Sequence, residues 1–283
     1  MKNFLKSVFL IAVLLVTLSC QNSFGPESAG TADARSAGAA PVQLLSAKAT
    51  ADNHNGLPTW ETNQVDVTFK GVIEVANLAF NKTVLVHYSV AGLPWTTVSA
   101  TYTGPASAGR EYWSFENIAF VTTRQVIKAK EIRFAVEYKV SGKSYWDNNG
   151  GNDFFITTPA GVGYGSSMIL GSANIGLVSA ATVRNGWPAY ANNFSAQVLV
   201  KNLGYHKTIR VIATTNGWQT SFAVPATYIT TLANGQEMWQ ASTLLPLETQ
   251  GIEFAISYTV NGQTWWDNNC GRNYILAVPQ NIR

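Results

Sequence analysis

The stretch Ile132-Arg-Phe-Ala-Val-Glu-Tyr-Lys-Val-Ser-Gly-Lys-Ser-Tyr-Trp-Asp-Asn-Asn149 has a near copy 120 positions later, Ile252-Glu-Phe-Ala-Ile-Ser-Tyr-Thr-Val-Asn-Gly-Gln-Thr-Trp-Trp-Asp-Asn-Asn269. In the first copy Ile132, Phe134, Val136, Tyr138 and Val140 share one face of an extended chain. Arg133, Ala135, Glu137 and Lys139 share the other face, and the second copy keeps the same parity. Asn261-Gly262 is the preferred pair for a two-residue type I′ loop, and Ser141-Gly142 stands in the equivalent place. Such a loop pairs Val140 with Lys143, so Tyr138 opposes Tyr145 and Glu137 opposes Trp146. Cross-strand partners share a face. Tyr145 and Trp265 are therefore expected inside, with Trp146 and Trp266 on the wet face.

The duplication extends upstream, where Asn77-Leu-Ala-Phe-Asn-Lys82 matches Asn202-Leu-Gly-Tyr-His-Lys207. Shorter strands are expected near 71–76, 83–88, 195–201 and 208–213. Turn signals arrive about every ten residues and helical periodicity is nearly absent, the pattern of an all-β fold. The expected architecture is two tandem antiparallel β-sandwiches, over residues 42–158 and 169–278, joined by a Gly-rich linker at 159–168.

Residues 1–19 read as a signal peptide, with Lys2 and Lys6 preceding an apolar run from Val8 to Leu18 that is short for a bilayer span. Thr17-Leu18-Ser19-Cys20 resembles the lipobox of bacterial lipoproteins, although Thr17 replaces the usual aliphatic residue. That resemblance implies lipidation of Cys20, hence an exported cell-envelope lipoprotein at the outer membrane or cell surface. The small-residue segment 20–41 is too poor in large apolar groups to offset its ordering entropy and reads as a flexible tether. With Cys20 acylated, Cys270 is left without an intramolecular partner.

Lys and Arg total 19 against 16 Asp and Glu, so removal of Lys2 and Lys6 leaves the mature chain near +1. That balance gives no attraction to nucleic acid. His54, His87 and His206 sit in unrelated contexts without metal spacing, and the only duplicated acid is that of Asp-Asn-Asn. No catalytic residue, metal or cofactor is expected. Exposed rings beside amides suit a sugar, whose C–H face stacks on an indole while its hydroxyls meet amides. Covering roughly 80 Å² of apolar surface contributes about 2 kcal/mol per ring. Trp146 and Trp266 are the leading platform candidates, joined by the loop residues Trp95 and Trp218. Asp147 and Asp267 suit a turn-closing role, with at least one Asn of each triplet facing ligand.

Taken together, these residues resemble the family 21 starch-binding carbohydrate-binding modules. The motifs that carry the likeness are Val-x-Asn-Leu-x-Phe/Tyr-x-Lys, a loop Trp, Ala-x-Tyr, and Tyr/Trp-Trp-Asp-Asn-Asn, and they cover nearly all of both repeats. The resemblance implies immunoglobulin-like sandwiches and α-1,4-glucan ligands, polysaccharide or oligosaccharide. It implies a principal site at Trp95, Trp146, Asn148 and Asn149, and at Trp218, Trp266, Asn268, Asn269 and Asn273. It implies a second site at Phe80 and Tyr102, and at Tyr205 and Tyr228. Departures stand at Ala135 and Ala255, at Arg110 and Gln236, where the family carries aromatics, and at Asp153, where it carries Asn. Lys130-Glu-Ile-Arg-Phe134 matches a phosphatase-docking pattern but begins a strand whose Ile132 and Phe134 belong to the core. A structural or adhesive surface protein, with modules turned to a protein or another envelope polysaccharide, is the alternative. A partner amylase is not specified by the sequence.

Overall fold

Tyr138 pairs with Tyr145, Glu137 with Trp146, Tyr258 with Trp265 and Ser257 with Trp266, the register that two-residue loops demand. Ser141 and Gly142 have φ of 50° and 72°, and Asn261 and Gly262 have 52° and 75°, the left-handed pair of a type I′ turn. These hairpins belong to a computed structural model that describes residues 40–53, 64–90, 94–123, 131–157, 165–185 and 191–279. The signal segment, Cys20, most of the tether and Lys130 lie outside the described residues.

The first repeat comprises β1 (Val42–Asn53), β2 (Gln64–Ala76), β3 (Lys82–Val90), β4 (Thr96–Ser99), β5 (Thr101–Pro105), β6 (Arg110–Thr123), β7 (Glu131–Val140), β8 (Lys143–Asp147), β9 (Phe154–Thr157) and β10 (Gly165–Leu170). The second comprises β11 (Ile175–Asn185), β12 (Ala191–Val200), β13 (Lys207–Thr214), β14 (Phe222–Thr231), β15 (Glu237–Leu245), β16 (Gly251–Val260), β17 (Gln263–Asp267) and β18 (Tyr274–Ala277). No α-helix occurs among the described residues.

In the first repeat the sheet β10-β1-β2-β6-β5 faces the sheet β4-β3-β7-β8, with β9 also on β7. The second repeats this plan, except that one continuous β14 pairs with β13 through residues 222–225 and with β15 through 226–231. Inward positions fill each sandwich: Phe69 meets Phe115 and Phe134 at 4.9 and 5.0 Å, and Phe194 meets Phe254 at 5.1 Å. Ile132 and Phe134 are buried in this core. Tyr145 and Trp265 pack against the two cores, on Tyr138 and Tyr258.

The expected linker needs one correction. Gly165–Leu170 is a strand that pairs with β1 from Ser46↔Leu170 to Ala51↔Gly165, so 165–168 extends the first sandwich. The exposed edge of β1 offers unpaired backbone groups, and the chain leaving the first sandwich satisfies them. The two repeats then share a third apolar cluster of Leu45, Tyr112, Leu170, Ala173, Val178 and Leu199. Leu45 and Val178 are the extra residues of β-bulges in β1 and β11, turned out of their own sandwiches into this contact.

Candidate functional site

In the first repeat Trp146 stands on the outer face, 51% exposed, with its indole centred 5.1 Å from the His87 imidazole at an interplanar angle of 32°. His87 pairs with Ala135 on one side and Thr97 on the other. Ala135 and Glu137 have outer-face parity yet are buried. With only a methyl at 135, indole and imidazole meet over that position. His87 Nε2 hydrogen-bonds Glu137 at 2.9 Å, and the Thr97 hydroxyl lies 2.9 Å from Nδ1. Lys139 Nζ lies 3.2 Å from the same carboxylate. Burial alone would raise the Glu137 pKa, but hydrogen bonds from His87, Ser144 and Lys139 hold it below the usual carboxylate value. Trp95 is exposed immediately before β4, the strand that flanks β3 on the side away from β7.

The second repeat has apolar residues at the equivalent positions. Register places Ile212 opposite Ala255 and Ala223 beside it, where the first repeat has His87 and Thr97. Trp266 is half-buried opposite Ser257. Trp218 is exposed and held at φ 65°. Its loop is built for that conformation, since Thr214 Oγ1 accepts the N–H groups of Asn216 and Trp218 at 3.2 and 3.0 Å. Asn216 Oδ1 in turn accepts the Thr220 N–H at 3.0 Å. Local side-chain acceptors of this kind offset the cost of a left-handed non-glycine residue.

The Asp-Asn-Asn triplets are mostly engaged with their own backbone. Asp147 accepts the Leu44 N–H and Asp267 the Leu177 N–H, both at 2.7 Å. Asn148 and Asn268 each accept an N–H three residues on, from Gly151 and Gly271, at 3.0 Å. Asn149 and Asn269 donate to the Asp153 and Asn273 carbonyls at 3.1 and 2.9 Å. Asn273 Nδ2 donates to Glu253 at 2.7 Å. Asn268 is 0% exposed, out of reach of a ligand at the surface, which corrects its assignment to the site. Asn148 is half-buried, and Asn149 stays exposed. Asp267, enclosed by these donors and by Tyr274 Oη at 2.8 and 2.9 Å, has its pKa raised by burial despite them.

The second-site residues are presented by a duplicated buried network. Phe80 and Tyr205 project from the loops into β3 and β13, 97% and 91% exposed. At the foot of each loop a lysine bridges inward: Lys82 Nζ contacts Asn77 Oδ1 at 2.5 Å and Glu111 at 2.8 Å. Lys207 contacts Asn202 at 2.6 Å and Glu237 at 2.8 Å. The same carboxylates accept the indole N–H of Trp113 and Trp239 at 3.2 and 3.1 Å. Those indoles carry Tyr102 and Tyr228 edge-to-face at 6.0 and 5.7 Å. Each ring pair is thus tied through one carboxylate. The departures Arg110 and Gln236 are occupied elsewhere. Arg110 pairs with buried Glu74 at 3.3 Å, and Gln236 accepts from Leu170 N and donates to Leu170 O across the inter-repeat contact, at 3.4 and 3.3 Å.

Sequence reasoning missed His87, which becomes visible only once β3 is registered on β7. It also left Cys270 unpaired, whereas Cys270 is disulfide-bonded; the chain's other cysteine, Cys20, lies outside the described residues. Among the described residues no group of three or more His, Cys, Asp or Glu side chains is placed to hold a metal.

Comparison with known proteins bears on the whole arrangement. The sequence profile of a family described as carbohydrate/starch-binding module (family 21) matches residues 50–157 and again 184–277. Protein phosphatase 1 regulatory subunit 3C of Xenopus tropicalis is 36% identical over 81 residues, 28% of this chain and 36% of that protein. Glucoamylase 1 of Rhizopus oryzae is 35% identical over 96 residues, 32% of this chain and 14% of that protein. The chain therefore spans only a minor part of these relatives' length. Among solved structures, the starch-binding domain of Rhizopus oryzae glucoamylase in complex with β-cyclodextrin and maltoheptaose matches at 30% identity. It covers 42% of this chain and 95% of that one, with a TM-score of 0.30.

Proposed function

The chain belongs to the family 21 carbohydrate/starch-binding modules, and from that premise we propose that it is a non-catalytic receptor for α-1,4-glucans. Starch, glycogen or maltodextrin would be held on the Trp95–Trp146 and Trp218–Trp266 platforms. The observation that carries this reading is Trp146, an indole half open to water on the outer face of its sheet, beside the His87 imidazole. A pyranose ring laid on it loses apolar surface to water while its hydroxyls reach Asn149, His87 and Thr97. Each platform supplies affinity in the millimolar to micromolar range. Two platforms fixed by a shared apolar cluster engage one polymer together, gaining up to about 10²–10⁴ in avidity.

Anchoring at the cell envelope through an acylated Cys20 belongs to the same proposal and is supported by the lipobox-like Thr17-Leu18-Ser19-Cys20. Incorporation of labelled fatty acid, lost on Cys20→Ala, tests the anchor. Isothermal titration of the full chain with maltoheptaose and glycogen, beside cellulose and xylan, tests the ligand. Heat with the α-glucans alone is the expected result, and silence with both ends the reading.

A further inference from the structure

We propose that the cleft between the two repeats is a third glucan-binding site, formed by neither repeat alone and continuous with the Trp146 platform; this rests on the α-glucan reading above. The cleft encloses about 1000 Å³, at the large end of the range for ligand sites. One wall is the flank of β7 opposite β3, where β8 and β9 pair with it one after the other. Glu137 pairs with Trp146 and Arg133 with Phe155, so both rings have the outer-face parity of that flank, four residues apart. At about 3.3 Å per residue the two rings stand about 13 Å apart along the strand, room for a short run of glucosyl units. Phe155 is 55% exposed, and Asn149 also lines the cleft.

The opposite wall comes from the second repeat, in the turn between β14 and β15. Leu232 and Asn234 line it, and Gln236 locks it to β10 through both hydrogen bonds to Leu170. Asn234 Oδ1 accepts the Gln236 N–H at 3.1 Å, and its amide NH₂ sits on an exposed residue at the cleft. The chemistry of this lining selects the ligand. Among the described lining residues Asp147 is the single ionisable one, and that carboxylate is taken by the Leu44 N–H. Two rings and several amides without free charge fit a neutral, polyhydroxylated chain with apolar C–H faces, not an acidic or basic peptide. The feature is specific to the first repeat, because register places Ile275 where Phe155 stands.

The test uses the full chain carrying Trp218→Ala and Trp266→Ala, so that the second repeat's own platform is silent. Phe155→Ala and Asn234→Ala, each added to that parent, are titrated with maltotriose and maltoheptaose. The expected result is about a tenfold loss for maltoheptaose, the worth of one stacked ring or one good polar contact, and a change under about twofold for maltotriose. Phe155→Tyr restores the longer sugar. If both variants titrate like the parent while Trp146→Ala abolishes binding, the cleft is not a site and the platform reading stands. A parent and an unsubstituted chain that both bind no α-glucan overturn both, whereas a silent parent beside a binding unsubstituted chain overturns the cleft alone. Equal losses for the two sugars, with a lowered melting temperature, assign Phe155 to the fold and also overturn the proposal.

Discussion

The carboxylate of Asp147 accepts the backbone N–H of Leu44 at 2.7 Å, joining β8 of one sheet to β1 of the other. Leu44 immediately precedes the bulge at Leu45, where the ladder between β1 and β2 is interrupted and a backbone donor is freed. Asp267 repeats the bond to Leu177, just ahead of the bulge at Val178. The acid of each triplet is therefore a clasp between sheets, and the residue beside it carries the platform ring.

Removal of the clasp should cost stability and spare the ligand. Asp147→Ala leaves an N–H without its acceptor, worth about 1–3 kcal/mol, and Asp267→Ala costs more because Tyr274 Oη also loses its partner. Urea unfolding followed by tryptophan fluorescence measures this. Glucan affinity of the folded fraction stays within about twofold of the parent. Affinity lost at unchanged stability would instead place the carboxylate on the sugar.

The lysines beneath the second-site loops behave differently from the rings above them. Lys82 and Lys207 are nearly enclosed, and their truncation strands Glu111 or Glu237 as a buried charge, costing about 3–5 kcal/mol. Phe80→Ala and Tyr205→Ala touch little in the free protein and should shift stability by less than about 0.5 kcal/mol. Calorimetric melting separates the two classes. Depletion by insoluble starch reads the other side, where both classes should weaken binding. A Phe80→Ala chain that melts early would mean the ring is structural.

Much of this was legible because period-2 parity and a two-residue turn are local rules. They place Tyr145 and Trp265 inside and Trp146 outside without any knowledge of the other strands. The inter-sheet clasp was not legible, since Leu44 lies 103 positions from Asp147 and the bulge that frees its N–H leaves no composition signal. The same holds for Asn268, whose burial follows from how its loop folds under itself. His87 and Phe155 escaped for a third reason: each gains meaning from a neighbour on another strand, Trp146 in one case and the second repeat's turn in the other. Gln236 looked like a defective second-site position and is a docking residue.

The carboxylates of Glu137 and Asp267 should respond to acid in opposite senses. Glu137 has a native pKa below its unfolded value, so its contribution to stability is present above ordinary carboxylate pH and is lost as pH falls through the native value. Asp267 has a raised native pKa, so its ionisation favours the unfolded chain, and its contribution declines as pH rises through that value. Glu137→Gln should flatten the acid limb of a stability profile, whereas Asp267→Asn should flatten the rise in cost toward neutrality. Urea midpoints between about pH 3 and 7 follow both effects. Glu137→Gln also loosens the His87 imidazole against Trp146, so maltoheptaose affinity in the first repeat should lose its acid sensitivity.

Cysteine chemistry offers a test of the anchor that does not depend on sugar. The chain has two cysteines, and Cys270 is disulfide-bonded in the folded protein. A sulfur that carries a diacylglyceryl group is a thioether and takes no part in a disulfide. Chains lipidated at Cys20 should therefore expose Cys270 as a thiol or join it to a thiol on another molecule, while chains exported without lipid should keep it blocked. Trapping with a maleimide-polymer before and after reduction, on detergent-extracted and soluble fractions separately, distinguishes these forms by gel shift. The expected outcome is direct labelling of Cys270 only in the detergent fraction. A detergent-extracted chain that labels at both cysteines, and only after reduction, would mean that Cys20 is not acylated and that something else holds the protein to the membrane.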